Sequence, residues 1–139
     1  VRQQIVWCAL VAVLVSPSLG AAQPDKGLAA GKAVPYIFQV WDQFVISNAA
    51  ATVCEPADAS SRKSHAANFA LVSAHVRARI KAASPRKSDD EINRFLGGRE
   101  AALARVSTQA AKQKGCNDPE IQQLVRRYQT QLRWRPTGT

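Results

Sequence analysis

The 139-residue sequence predicts an all-α protein: a four-helix up-down-up-down bundle closed by one disulfide and preceded by a cleaved signal peptide. Three observations carry this expectation. Apolar residues recur at helical spacing in four segments, each bounded by proline, glycine or a capping residue, and no strand-like alternation interrupts them. Aromatic residues make up only 6 % of the chain while alanine is plentiful, a balance that favours helices over a β-sandwich. Three cysteines are present, and the one that falls in the export signal leaves a pair behind. With 46 % apolar and 21 % charged residues the composition is that of a globular domain, and the length suits one domain.

The opening segment reads as a leader, residues 1–22. Arg2 is its only charge, Ile5 to Val15 is an apolar run, Pro17 breaks it, and small residues follow at Ser18, Gly20, Ala21 and Ala22. That order is a secretory signal, and the run is shorter than the roughly 20 residues that span a bilayer. Cleavage is expected after Gly20 or Ala22. The chain begins with valine and contains no methionine, so it is either a fragment or starts at an alternative bacterial codon read literally, and the export signal that follows directly favours the second. Export places the mature protein in the periplasm or outside the cell, with no membrane-spanning segment. Cys8 leaves with the leader, and Cys54 and Cys116 are then expected to pair in an oxidising compartment.

Residues 23–34 carry two glycines and no periodicity and read as a flexible segment. The helical domain is expected over 35–135, with a frayed tail at 136–139. The first helix spans about 35–53, with Pro35 in its first turn. Ile37, Val40, Trp41, Phe44, Asn48 and Ala51 form its stripe. Phe38, Val45 and Ile46 fall off it, so the helix is either wrapped on more than one side or presents these three as an interaction patch. The second helix spans about 62–83, capped by Ser60 or Ser61, with a stripe of His65, Phe69, Val72, Val76, Ile80 and Ala83; Pro85 stops it.

The third helix opens on Ser88-Asp89-Asp90-Glu91, a capping box whose acids suit the positive end of the helix dipole. Its stripe is Ile92, Phe95, Leu96, Leu103, Val106 and Ala110. Gly97-Gly98 interrupt it without a phase change, which predicts a kink or weak point. Gly115 ends it. The fourth helix follows Asn117-Asp118-Pro119-Glu120, a cap and a first-turn proline, with a stripe of Ile121, Leu124, Val125, Tyr128 and Leu132. In an up-down-up-down order the first helix ends at the pole where the fourth begins, which brings Cys54 and Cys116 within disulfide reach.

A net charge of +9 invites anionic partners. Half of the cations expected in the mature chain lie in two clusters, Arg77, Arg79, Lys81, Arg86 and Lys87, then Arg126, Arg127, Arg133 and Arg135. The proposed order sets both at the pole away from the disulfide, as a surface for anionic lipid or lipopolysaccharide. Cations at helix C-termini also serve the dipole alone, and Asp89, Asp90 and Glu91 open the third helix at the same pole. Nucleic acid is not an expected partner, since no aromatic interleaves the cluster on the second helix and no nucleic-acid-binding motif occurs.

No residue stands out as catalytic, and the sequence calls for no cofactor and no metal. Motifs of the G-x-S-x-G, phosphate-loop and H-E-x-x-H kinds are absent. His65 and His75 are ten residues apart on one helix, about 15 Å along its axis, and cannot chelate one ion together. His65 is expected to hydrogen-bond a neighbour; a metal site with Glu55 or Asp58 is the sharper alternative. Arg99 lies on the core stripe of the third helix and either snorkels or pairs with Asp42 or Glu100. The leading expectation is a small exported, non-catalytic binding or protein-interaction module whose partner is an envelope protein or a second copy. A binder of anionic envelope components is the first alternative, a cryptic metal protein or enzyme the second.

Overall fold

A helix that is apolar around its whole circumference is stable only when other elements surround it, and the first helix of this chain carries a single charge, Asp42. The computed structural model describes residues 36–55 and 58–134. These residues form four helices, α1 (Tyr36–Cys54), α2 (Ala59–Ala83), α3 (Asp89–Lys114) and α4 (Pro119–Leu132), and no strand occurs among them. The leader at 1–22, the segment 23–34 and the tail 136–139 lie outside the described residues.

The central element is α1. It packs most extensively against α3, next against α4 and then α2, while α2–α3 and α3–α4 touch least. The off-stripe residues of α1 are therefore taken into the core. Val45 is only 6 % exposed, Phe38 is half-buried against the main core cluster, and Ile46 is half-buried. The three do not form an open interaction patch, because α1 is wrapped on more than one side. Toward the disulfide α1 narrows to Ala49, Ala50 and Ala51, all buried, and the small side chains let neighbouring helices approach closely. Ala50 meets Ala111 of α3 and Ile121 of α4 there. Farther down, Trp41, Phe44 and Val45 pack with Val72 and Val76 of α2 and Ile92 and Leu96 of α3.

Local signals set the helix ends. Ser88 and Glu91 form the capping box of α3, each side chain bonding the other residue's backbone N–H. Glu91 accepts from the Ser88 amide at 2.7 Å, and that bond holds its carboxyl below the ordinary range. Asp118 caps α4 and Gly115 ends α3 with φ +84°, a left-handed conformation that glycine adopts without strain. The start of α2 differs from expectation. Asp58, not Ser60 or Ser61, is the cap; its carboxylate accepts from the Ser61 amide at 2.7 Å, which lowers its pKa. Asp58 ranks with serine as a capping residue, and it lies one turn ahead of the apolar periodicity that set the expected start.

The α3 helix runs unbroken from Asp89 to Lys114 through Gly97-Gly98. One further expectation for α3 is corrected. Phe95 and Val106, assigned to its core stripe, are 51 % and 58 % exposed. The reason is that α3 docks mainly on one helix. A single seam along Ile92, Leu96, Ser107 and Ala111 is buried, and apolar residues beside the seam stay in solvent. Arg99 settles on Asp42: its Nε donates to Oδ1 at 2.7 Å and its Nη2 to Oδ2 at 2.6 Å. This two-pronged geometry makes such a pair specific as well as strong and locks α3 onto α1.

Cys54 and Cys116 are joined, with Cα atoms 5.4 Å apart. The bond ties the end of α1 to the segment leading into α4.

Candidate functional site

The hydrogen bonds joining α2 to α3 cluster near their connection, where Arg77 Nε donates to Asn93 Oδ1 at 3.0 Å and Lys81 Nζ to Asp89 Oδ1 at 3.4 Å. Toward the disulfide the two helices separate. A groove of about 640 Å³ opens between them, with α1 as its floor. Val45, Asn48, Ala49 and Thr52 supply that floor. Arg62, Ala66 and Phe69 stand on the α2 wall, and Glu100, Ala104 and Thr108 on the α3 wall. The floor is thus mixed, small apolar groups beside the Asn48 amide and the Thr52 hydroxyl, with oppositely charged groups on the two walls. A concave, mostly apolar site with a few polar groups is the usual form of a small-ligand or side-chain pocket.

A buried polar cluster closes one side of the groove. His65 and Tyr128 both line it, their rings stacked with centroids 4.7 Å apart. Gln131 of α4 reaches into the same cluster and connects three helices. Its side-chain amide lies 2.6 Å from Ser47 Oγ and 3.2 Å from His65 Nε2, and its backbone carbonyl accepts from Asn68 Nδ2 at 2.7 Å. Ser47 Oγ also lies 2.6 Å from the Gln43 carbonyl. One hydroxyl carries one proton and cannot donate to both oxygens. Turning the Gln131 amide by half a rotation satisfies all of them. Ser47 then donates to Gln43 O, while the two Nε2 hydrogens go to Ser47 Oγ and to the lone pair on His65 Nε2. This assignment requires a neutral imidazole. Burial acts in the same direction and is the main cause that holds the His65 pKa below its ordinary value. The Tyr128 hydroxyl is pushed up, mainly by burial.

The two basic clusters do not share a pole. Asn68 bonds the Gln131 carbonyl, so the end of α4 lies beside the middle of α2. Lys81 is a further 13 residues along α2, about 20 Å away on its axis. The cause is the length of α4, 14 residues against 25 in α2. Arg126, Arg127 and Arg133 therefore lie far from Arg77, Arg79, Lys81, Arg86 and Lys87, and Arg135 lies outside the described residues. Lys81 is also engaged, donating to Lys87 O as well as to Asp89. The single anion-binding pole drawn from the sequence does not exist in this form.

Among the described residues no group of three or more His, Cys, Asp or Glu side chains comes close enough to hold a metal ion. His75 is exposed on α2, away from His65. No described helix is long and apolar enough to cross a membrane.

Periodicity placed His65 on an apolar face but did not bring it to Gln131, whose position in the sequence shows only a polar residue one place before Leu132. The groove residues Arg62, Glu100 and Thr108 carried no sequence signal that joins them. Arg62 lies in the first turns of α2 and Glu100 and Thr108 lie within α3, and only the packing of the helices sets them around one groove.

No family model, curated protein or solved structure matches this chain.

Proposed function

We propose that this chain is a small exported, non-catalytic helical module that binds a partner or ligand in the groove between α2 and α3. The observation that carries the reading is the groove itself, a concave surface of about 640 Å³ on a scaffold that the Cys54–Cys116 disulfide ties. Its small apolar groups, Val45, Ala49 and Ala104, set among the polar Asn48, Thr52, Glu100 and Thr108, suit a ligand with an apolar body and polar ends, such as a side chain projecting from an envelope protein.

Export rests on the leader at 1–22 and on the pairing of Cys54 with Cys116, since disulfides persist in oxidising compartments. The up-down-up-down order is the finer reading of the fold. It is supported by the Trp41–Ser73 bond and by the approach of Ser47 to His65 through Gln131, which suit an antiparallel α1 and α2. The pairing of Asp42 with Arg99 and of Ala50 with Ala111 supports a parallel α1 and α3. The anionic-envelope reading is the weaker alternative once its cations are divided between two places.

Two measurements test the proposal. The full chain expressed in a bacterial host should be recovered from the periplasm lacking its first 20 or 22 residues and with no free thiol. Immobilised mature protein should retain a component of its native compartment that Ala104→Trp, which fills the groove, does not retain. Equal retention by both proteins, or none by either at low ionic strength, overturns the groove as the binding site.

A further inference from the structure

The outward surface of α3 has features that its own fold does not use. Phe95, Gly98, Ala102 and Val106 recur every three or four residues and fall within an arc of about 80° on the helix. Phe95 and Val106 are more than half exposed, and Gly98, Ala101 and Ala102 are exposed between them. A Cβ added at Gly97 or Gly98 would meet nothing within 4 Å, so no packing in this molecule requires glycine there. Glycine in a helix interior is nevertheless unfavourable relative to alanine. The result is a shallow notch between two apolar knobs, the shape into which a side chain of a second helix inserts.

Charge borders the notch on one side. Arg94, Arg105 and Lys112 lie within about 20° of one another around the helix and form a rail about 27 Å long. Glu91 interacts with Arg94 at one end of this rail, and from Ala101 to Lys114, around Arg105 and Lys112, no acidic residue occurs. The opposite border is Arg99, already held by Asp42.

We infer that this face of α3 docks an amphipathic helix of another protein, apolar along its seam and acidic along the flank that meets the Arg94–Arg105–Lys112 rail. Charge complementarity selects an acidic flank. A second copy of this chain fits poorly: an antiparallel α3 pair centred on the notch sets rail against rail, and a parallel pair sets the rail against Arg99. A flat bilayer would touch the two knobs and leave the notch empty. This surface lies apart from the groove residues, so the two proposals stand or fall separately.

The test uses the mature protein and two synthetic stapled helices with the same leucine seam, one with glutamates along its flank and one with lysines. The glutamate helix should bind and the lysine helix should not, and binding should weaken as ionic strength rises to physiological. Arg105→Glu/Lys112→Glu should weaken binding about tenfold or more at low ionic strength, as expected for reversed rim charges. Ala102→Gln, which fills the notch without adding charge, should abolish it. All three residues are exposed, and melting curves verify that the variants fold. Absence of binding to the glutamate helix at low ionic strength overturns the inference, as does binding that both variants retain. A wild-type dimer dispersed by Ala102→Gln, or binding to phosphatidylglycerol vesicles in place of the helix, overturns it in favour of another occupant.

Discussion

Replacing Gln131 by leucine keeps the volume of the side chain and removes its amide. The consequences follow from the bonds around it. Ser47 still donates to the Gln43 carbonyl at 2.6 Å, so its hydroxyl stays satisfied. Asn68 still donates to the backbone carbonyl of residue 131. His65 Nε2 alone loses its partner, in a site where the residue is 5 % exposed. Leaving one buried polar atom unpaired costs about 2 kcal/mol, or roughly 10 °C in Tm for a domain near 100 residues. His65→Phe in the same background removes the atom that was stranded, and replacing both partners by apolar groups of similar shape is nearly neutral. The double variant should therefore be more stable than Gln131→Leu alone. Urea unfolding followed by circular dichroism reads both effects, provided the denaturant slope is unchanged. Gln131→Leu within about 0.5 kcal/mol of wild type, or a double variant less stable than either single one, would refute the network as described.

Other expectations test separate parts of the molecule. His65 has a folded pKa below its unfolded value near 6.5, so the unfolded state takes up a proton first. Its contribution to stability is complete above about pH 6.5 and declines as pH falls through the unfolded pKa; the urea midpoint should drop between neutral pH and pH 5, and His65→Phe should flatten that step. Removing the disulfide with Cys54→Ser/Cys116→Ser frees a link of sequence separation 62 and should cost about 4 kcal/mol and roughly 20 °C in Tm; a loss under about 1 kcal/mol in urea unfolding would contradict it. Gly97→Ala and Gly98→Ala should each raise stability by roughly 0.5–1 kcal/mol, since the new methyl meets nothing and the unfolded chain loses freedom; a decrease in calorimetric Tm would count against the account of α3. Ser88→Ala should cost about 1 kcal/mol through loss of the cap, read by the same calorimetry.

What the sequence determined by itself was local. The capping box at Ser88, the proline and aspartate at the head of α4, and Gly115 in a left-handed conformation act through bonds within a few residues, and such bonds are legible in order. The cysteine pair was also legible, once Cys8 was assigned to the leader. The tertiary structure decided everything that depends on which face meets which neighbour. Off-stripe Val45 is buried because α1 lies at the centre, and on-stripe Phe95 is exposed because α3 docks along one seam. The expected basic pole was lost because α4 is too short to reach it. The groove and the Gln131 cluster had no signature, since each joins residues from three or more helices. Periodicity reports how a helix divides its own surface, but burial depends on how many partners surround it and at what level they end.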